Sequence, residues 1–128
     1  EAVREENENG NGNNQPFGSI LKFIIRDFKS YENFLEYLKK VGLSMRGWAI
    51  LTIDPLDNKL HIIGSDAHDT GAVWLSYPLL AMDVYEHAYM IEFGIDRSKY
   101  IDRFIENINW AVINNRLAKY VNMPMRFL

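Results

Sequence analysis

Two β-rich runs lie in the middle of the chain, GWAILTID at 47–54 and KLHIIGS at 59–65, separated by a turn from Pro55 to Asn58. Apolar and β-branched residues on both sides of so short a connection predict a hairpin. The segments around it follow a different period. Ile20, Phe23, Ile24 and Phe28 recur at helical spacing, which predicts an amphipathic helix over roughly 18–28. Ser30 is suited to cap a second helix, with Glu32 favourable in its first turn. Phe34, Leu35, Leu38 and Val41 form the apolar stripe of that helix, and Gly42 is its expected stop.

Past the hairpin, residues 66–77 read as a loop and PLLAMD (78–83) as a candidate third strand, leading directly into VYEHAYMIEF. Gly94 breaks that pattern. Ser98 is the expected cap of a further helix with Tyr100, Ile101, Phe104, Ile105 and Ile108 on its apolar face, and a last helix is expected from Trp110 to about Tyr120. Helices, then antiparallel strands, then helices give an α+β domain, without an internal repeat.

The chain has 128 residues, enough for one domain with a real core. Its formal charge of −3 gives no broad electrostatic grip on nucleic acid, and the absence of cysteine excludes disulfide and thiol chemistry. No apolar run approaches the length of a membrane span, and no intact signal peptide opens the chain. The first residue, Glu1, suggests a processed or truncated product. Residues 1–15, acidic and then rich in Asn and Gly, cannot bury much surface and read as a flexible arm. The expected organisation is thus an arm at 1–15, a domain at 16–122 and a tail at 123–128.

The stretch Asp83-Val84-Tyr85-Glu86-His87-Ala88-Tyr89 is the most informative chemically. Asp83 and His87 are four apart, so a helix beginning near Asp83 would place both on one face. A carboxylate oxygen with an imidazole nitrogen suits iron, manganese or zinc. The spacing alone leaves a second reading open, a capping aspartate and a hydrogen-bonded helix histidine.

The run PLLAMDVYEHAY resembles the signature of the iron/manganese superoxide dismutases, usually D-V-W-E-H-A-Y after a P-L-L strand. NGNNQPFG (11–18) is similar to the N-G-G-G-x-P-x-G linker between that family's two domains, and Arg26-Asp27-Phe28-Lys29-Ser30 to its R-D-F-G-S junction. Gly47-Trp48-Ala49 resembles its G-x-G-W strand start, Asn109-Trp110 its closing N-W, and Arg97 and Tyr100 fall on its R-x-x-Y. The resemblance runs in order over roughly residues 11–120. It implies the family's C-terminal domain, a small three-stranded antiparallel sheet with about five helices.

By the same resemblance, Asp83 and His87 are two of the four ligands, three histidines and an aspartate, that hold one iron or manganese. Glu86 matches a glutamate that reaches across a dimer interface to the partner's ligand histidine, tuning and orienting it. Tyr89 matches an aromatic of the same helix. His68 falls where one branch of the family has a histidine that hydrogen-bonds the solvent on the metal. Trp48 and Tyr85 fall on aromatic positions that wall the site. Read without the family, His68 is an ordinary loop histidine, Trp48, Tyr85 and Trp110 are core residues, and His61 is a sheet-surface or packing residue.

The other two family ligands are histidines of an N-terminal helical hairpin, one of them shortly before the linker. Counting back from Pro16, that position falls near Glu1, where the chain reads EAVREENEN. Its three histidines are His61, His68 and His87, and none precedes residue 60. Met90, Met45 and Ile105-Glu106 also depart from the family pattern, affecting the dimer relay and local packing. Three functions follow as expectations. The first is a superoxide dismutase-type domain holding half of an iron or manganese site, completed by a hairpin supplied from elsewhere. The second is a non-catalytic structural subunit of a larger assembly, for example a mitochondrial one. The third is a two-ligand site completed by water or by a partner's residue. A homo- or heterodimer through the Glu86/His87 helix, or a larger assembly, is the expected partnership, and the compartment stays open between cytoplasm and mitochondrion.

Overall fold

The computed structural model describes residues 14–44, 47–65, 76–84 and 96–123. Along these the chain forms helix α1 (Gly18–Phe28), helix α2 (Tyr31–Ser44), strands β1 (Trp48–Asp54), β2 (Lys59–Ser65) and β3 (Tyr77–Asp83), and helices α3 (Arg97–Glu106) and α4 (Trp110–Val121). The fold is α+β, with one three-stranded antiparallel sheet. A fifth helix around Glu86 and His87 was expected where the chain lies outside the described residues, as do the arm through residue 13 and the tail from 124.

The sheet order is β2-β1-β3. The hairpin pairs Trp48 with Ser65 at one end and Asp54 with Lys59 at the other. β3 lies on the other side of β1, with Asp83 opposite Trp48 and Leu80 opposite Leu51. The register then slips, so that Thr52 faces Pro78 and Leu79 is an extra residue, a β-bulge. Arg116 of α4 donates to the Leu79 carbonyl at 2.9 Å. Pro78 is tolerated because β3 is an edge strand and bulged there.

Alternation along the strands turns Ala49, Leu51, Ile53, Leu60, Ile62, Leu80 and Met82 to one buried face. Against it sit Ile20 and Ile24 of α1, Phe34 and Leu38 of α2, Ile101 and Ile105 of α3, and Ile113 and Leu117 of α4. Trp110 at the start of α4 is buried and packs edge-on against Phe34, ring centroids 6.2 Å apart, while Phe28 meets Phe34 at 5.4 Å. Burying rings of this size gives the largest single apolar contributions to such a core, about 2–3 kcal/mol each.

The helix ends show where local signals suffice. The Ser30 hydroxyl accepts from the Asn33 amide at 3.1 Å, the cap expected for α2. α3 departs from expectation. It begins at Arg97, and Asp96, not Ser98, is its cap, accepting from the Lys99 amide at 3.0 Å; an aspartate offers a charged acceptor to the positive helix end, which a hydroxyl does not. Gly42 does not stop α2, which continues to Ser44. Its role is close approach: a Cβ there would lie 2.8 Å from Met82 Cε and 3.0 Å from Ile101 Cδ1. β3 starts one residue early, at Tyr77.

The start of α1 is capped from a distance. Phe17 provides no side-chain cap, and Gly18 follows at φ 69°, a conformation that favours glycine. Asn114 of α4 fills the gap, accepting from the Ile20 amide at 2.9 Å and donating to the Phe17 carbonyl at 2.9 Å. Just upstream, Asn14 donates to the Ile108 carbonyl at 2.6 Å and Pro16 is buried. The far end of α1 is tied to the hairpin: Asp27, its side chain 4% exposed, accepts from the Leu60 amide at 2.8 Å and pairs with Arg26. Arg26 also donates to the Asn58 carbonyl, and Tyr120 of α4 donates to the Asn58 side chain at 2.9 Å.

Candidate metal centre

Asp83 is the last residue of β3, opposite Trp48, the first residue of the central strand. The next residue, Val84, is buried, and its amide donates to the Gly47 carbonyl at 2.8 Å. This end of the sheet is therefore closed by backbone pairing up to and just past Asp83, and the carboxylate is carried at the edge of a rigid element. Because Asp83 closes a strand and Val84 is still tied to Gly47, helical spacing does not begin at Asp83.

Asp83 is half-buried. Trp48 beside it in the register is 37% exposed, so it is not a core residue and stands at the surface of the same sheet end. His68, Tyr85, Glu86, His87 and Tyr89 lie outside the described residues. Of the expected site residues, the structure thus brings together Asp83 and Trp48.

One neighbour of Asp83 was not singled out from the sequence beyond its place in R-x-x-Y. Burial pushes the Tyr100 phenol up to about 12, and the negative charge of Asp83 adds to the effect, which places α3 within the field of the carboxylate. One turn earlier on the same helix, Arg97 donates to the carbonyls of Gly42 and Leu43, 3.3 Å each, at the end of α2. The three-residue spacing of Arg97 and Tyr100 was the available signal, since it sets both on one side of a helix.

A second gathering of metal-type side chains lies at the opposite end of the sheet, where Asp54, Asp57 and His61 bring one donor atom each within 4.8 Å of one another. Their oxygens serve the hairpin. Asp54 accepts from the Leu56 amide at 2.8 Å, Asp57 from the Lys59 amide at 2.9 Å, and His61 pairs with Asp57 at 2.8 Å. His61 is exposed on the sheet surface, the first of its two sequence readings, and is not a packing residue.

The donor chemistry at Asp83 fits iron or manganese: a hard anionic oxygen, partly withdrawn from water and held by a strand. Among the described residues, Asp83 belongs to no group of three such donors.

Residues 16–116 match the family described as iron/manganese superoxide dismutases, C-terminal domain. Superoxide dismutase [Mn] 2 of Halobacterium salinarum is 39% identical over 108 residues, 84% of this chain and 54% of that protein. Superoxide dismutase [Mn] of Haloarcula marismortui is 40% identical over 117 residues, 91% of this chain and 58% of that protein. Superoxide dismutase [Fe] of Aquifex aeolicus is 37% identical over 108 residues, 84% of this chain and 51% of that protein. The chain thus spans about half the length of the relatives it matches. A matched stretch that contains the whole sheet and ends within α4, together with a carboxylate fixed at the end of β3, places the chain in the iron/manganese superoxide dismutase family, as its C-terminal domain.

Proposed function

We propose that this domain contributes half of a mononuclear iron or manganese site for superoxide dismutation, with Asp83 and His87 as its two ligands. Dismutation then requires a two-histidine helical hairpin from outside the residues matched here. The observation that carries the reading is the fixed position of Asp83, closed into the central-strand register and locked by the Val84–Gly47 bond, within a family match spanning the domain. When bound, iron or manganese supplies the alternating one-electron reduction and oxidation by which superoxide is dismuted.

The remaining roles follow from residue chemistry. Asp83 supplies negative charge that favours the higher oxidation state and an oxygen donor that does not swing. His68 offers a hydrogen bond toward solvent at the site. Trp48 and Tyr85 form an aromatic wall that limits access to small species. Glu86 reaches a partner subunit's ligand histidine, and Tyr89 supports the same interface, so a dimer through this segment belongs to the proposal. Among the described residues no helix is long and apolar enough to cross a membrane.

The test is metal content and dismutation measured on the 128-residue chain alone and on the chain fused behind a two-histidine hairpin. Near-stoichiometric iron or manganese with activity is expected in the fusion, and both are expected to be lost in Asp83→Asn. A folded fusion that holds no metal sinks the reading. One observation favours the alternative, a structural subunit: Phe17 and Ile25 of the α1 segment and Val121 of α4 are about half exposed, which offers apolar surface to a partner. A metal-free, inactive fusion that assembles into a larger complex through α1 and α4 would support it.

A further inference from the structure

We infer that Gly42 and Arg97, at the junction of α2, β3 and α3, are positioning residues that fix where Asp83 stands. The inference rests on the proposed half-site for its functional meaning, and on geometry alone for the positioning itself.

The last turn of α2 is held on two sides. Against β3, Gly42 leaves room for the Met82 methyl, which a Cβ would meet at 2.8 Å; against α3, it leaves room for the Ile101 methyl at 3.0 Å. Met82 is fully buried and immediately precedes Asp83. From α3, Arg97 donates to the carbonyls of Gly42 and Leu43, satisfying two groups that a helix end leaves without intrahelical partners. Arg97 therefore clasps the starting turn of α3 to the final turn of α2.

Gly47 and Trp48 hold Val84 and pair with Asp83 at the same corner of the sheet. A shift of the α2 terminus reaches Asp83 through the buried Met82 side chain. A side chain at position 42 would have to displace Met82 or Ile101, and Met82 is buried directly beside Asp83.

The experiment uses the isotope-labelled 128-residue chain and reads amide hydrogen exchange. The variants are Gly42→Val, which drives a branched side chain into the junction, and Arg97→Ala, which opens the clasp, with Arg97→Lys as the conservative variant. Ile24→Val provides a packing change remote from the junction. The expected result is that exchange at Val84 accelerates at least about tenfold more than at residues 51–53 of the central strand in both junction variants. Arg97→Lys should recover part of this, and Ile24→Val should move both sets of amides by one common factor. If Val84 follows residues 51–53 in every variant, or does not respond, the inference is overturned. Should Gly42→Val fail to fold, the Arg97 pair decides alone.

Mn²⁺ affinity is measured on the same variants carried in the two-histidine hairpin fusion, beside Asp83→Asn. A loss of about tenfold in the junction variants is the expected consequence for the metal. Loss in Asp83→Asn without loss in the junction variants overturns the metal-positioning role. If Asp83→Asn leaves Mn²⁺ binding unchanged, the half-site reading fails, while the exchange comparison still decides the positioning.

Discussion

Lys29 closes α1 at φ 79° and ψ −36°, with its amide donating to the Ile25 carbonyl at 3.0 Å. A side chain with a Cβ is strained there, at a cost on the order of 1–2 kcal/mol. The family pattern R-D-F-G-S carries glycine at this point, and this chain has Lys29. Lys29→Gly removes the strain but gives the unfolded chain extra freedom, worth about 0.5–1 kcal/mol against the substitution. The net expectation is a gain of about 0.5–1 kcal/mol, seen in urea denaturation as a higher midpoint at unchanged slope. Lys29→Ala keeps the Cβ and should stay within about 0.5 kcal/mol of the parent. Two results would refute the reasoning. A destabilised Lys29→Gly would show that no strain was relieved. An equal gain in Lys29→Ala would show that relief came from removing a positive charge near Arg26.

Other outcomes follow from the same structure. Asp27→Ala leaves the buried Leu60 amide without its acceptor and should cost about 1–3 kcal/mol, whereas Asp27→Asn, which retains one acceptor oxygen, should cost less; denaturant titration of both variants checks the order. Burial, with a smaller contribution from the Glu32 charge, pushes the Tyr31 phenol up to about 12. The folded state then keeps the phenolic proton to higher pH than the unfolded chain, so this contribution is complete below about pH 10 and is lost as pH rises toward about 12. After discounting for the partly exposed ring, the loss is about 1–2 kcal/mol, and Tyr31→Phe should flatten the alkaline decline in a pH series of melts.

Much of the scaffold was legible because its signals are local. The hairpin strands follow from β-rich runs around a turn, and the Ser30 cap acts three residues from itself. What escaped was set by distant residues. Asn114 caps α1 across 94 residues of sequence, and no pattern near Phe17 announces it. Gly42 looked like a helix stop because glycine usually marks one, but its lack of a side chain answers to Met82 and Ile101, known only once β3 and α3 are in place. At the site, the identity of Asp83 was readable from the flanking motif, and its strand-end setting from the apolar run 78–83. What the spacing to His87 does not convey is that Val84, just past the strand, is still tied to the Gly47 carbonyl.

The order β2-β1-β3 also has a kinetic consequence. β1 and β2 meet across a short turn and can zip together early, whereas β3 must return from some thirty residues away to reach the far side of β1. Closing that larger loop carries the greater entropic barrier, so docking of β3 is expected to come late in folding. Asp83 stands at the end of that late strand. A cation that depends on its carboxylate would bind only chains that have finished folding, and would act as a check on completion rather than as a seed for it.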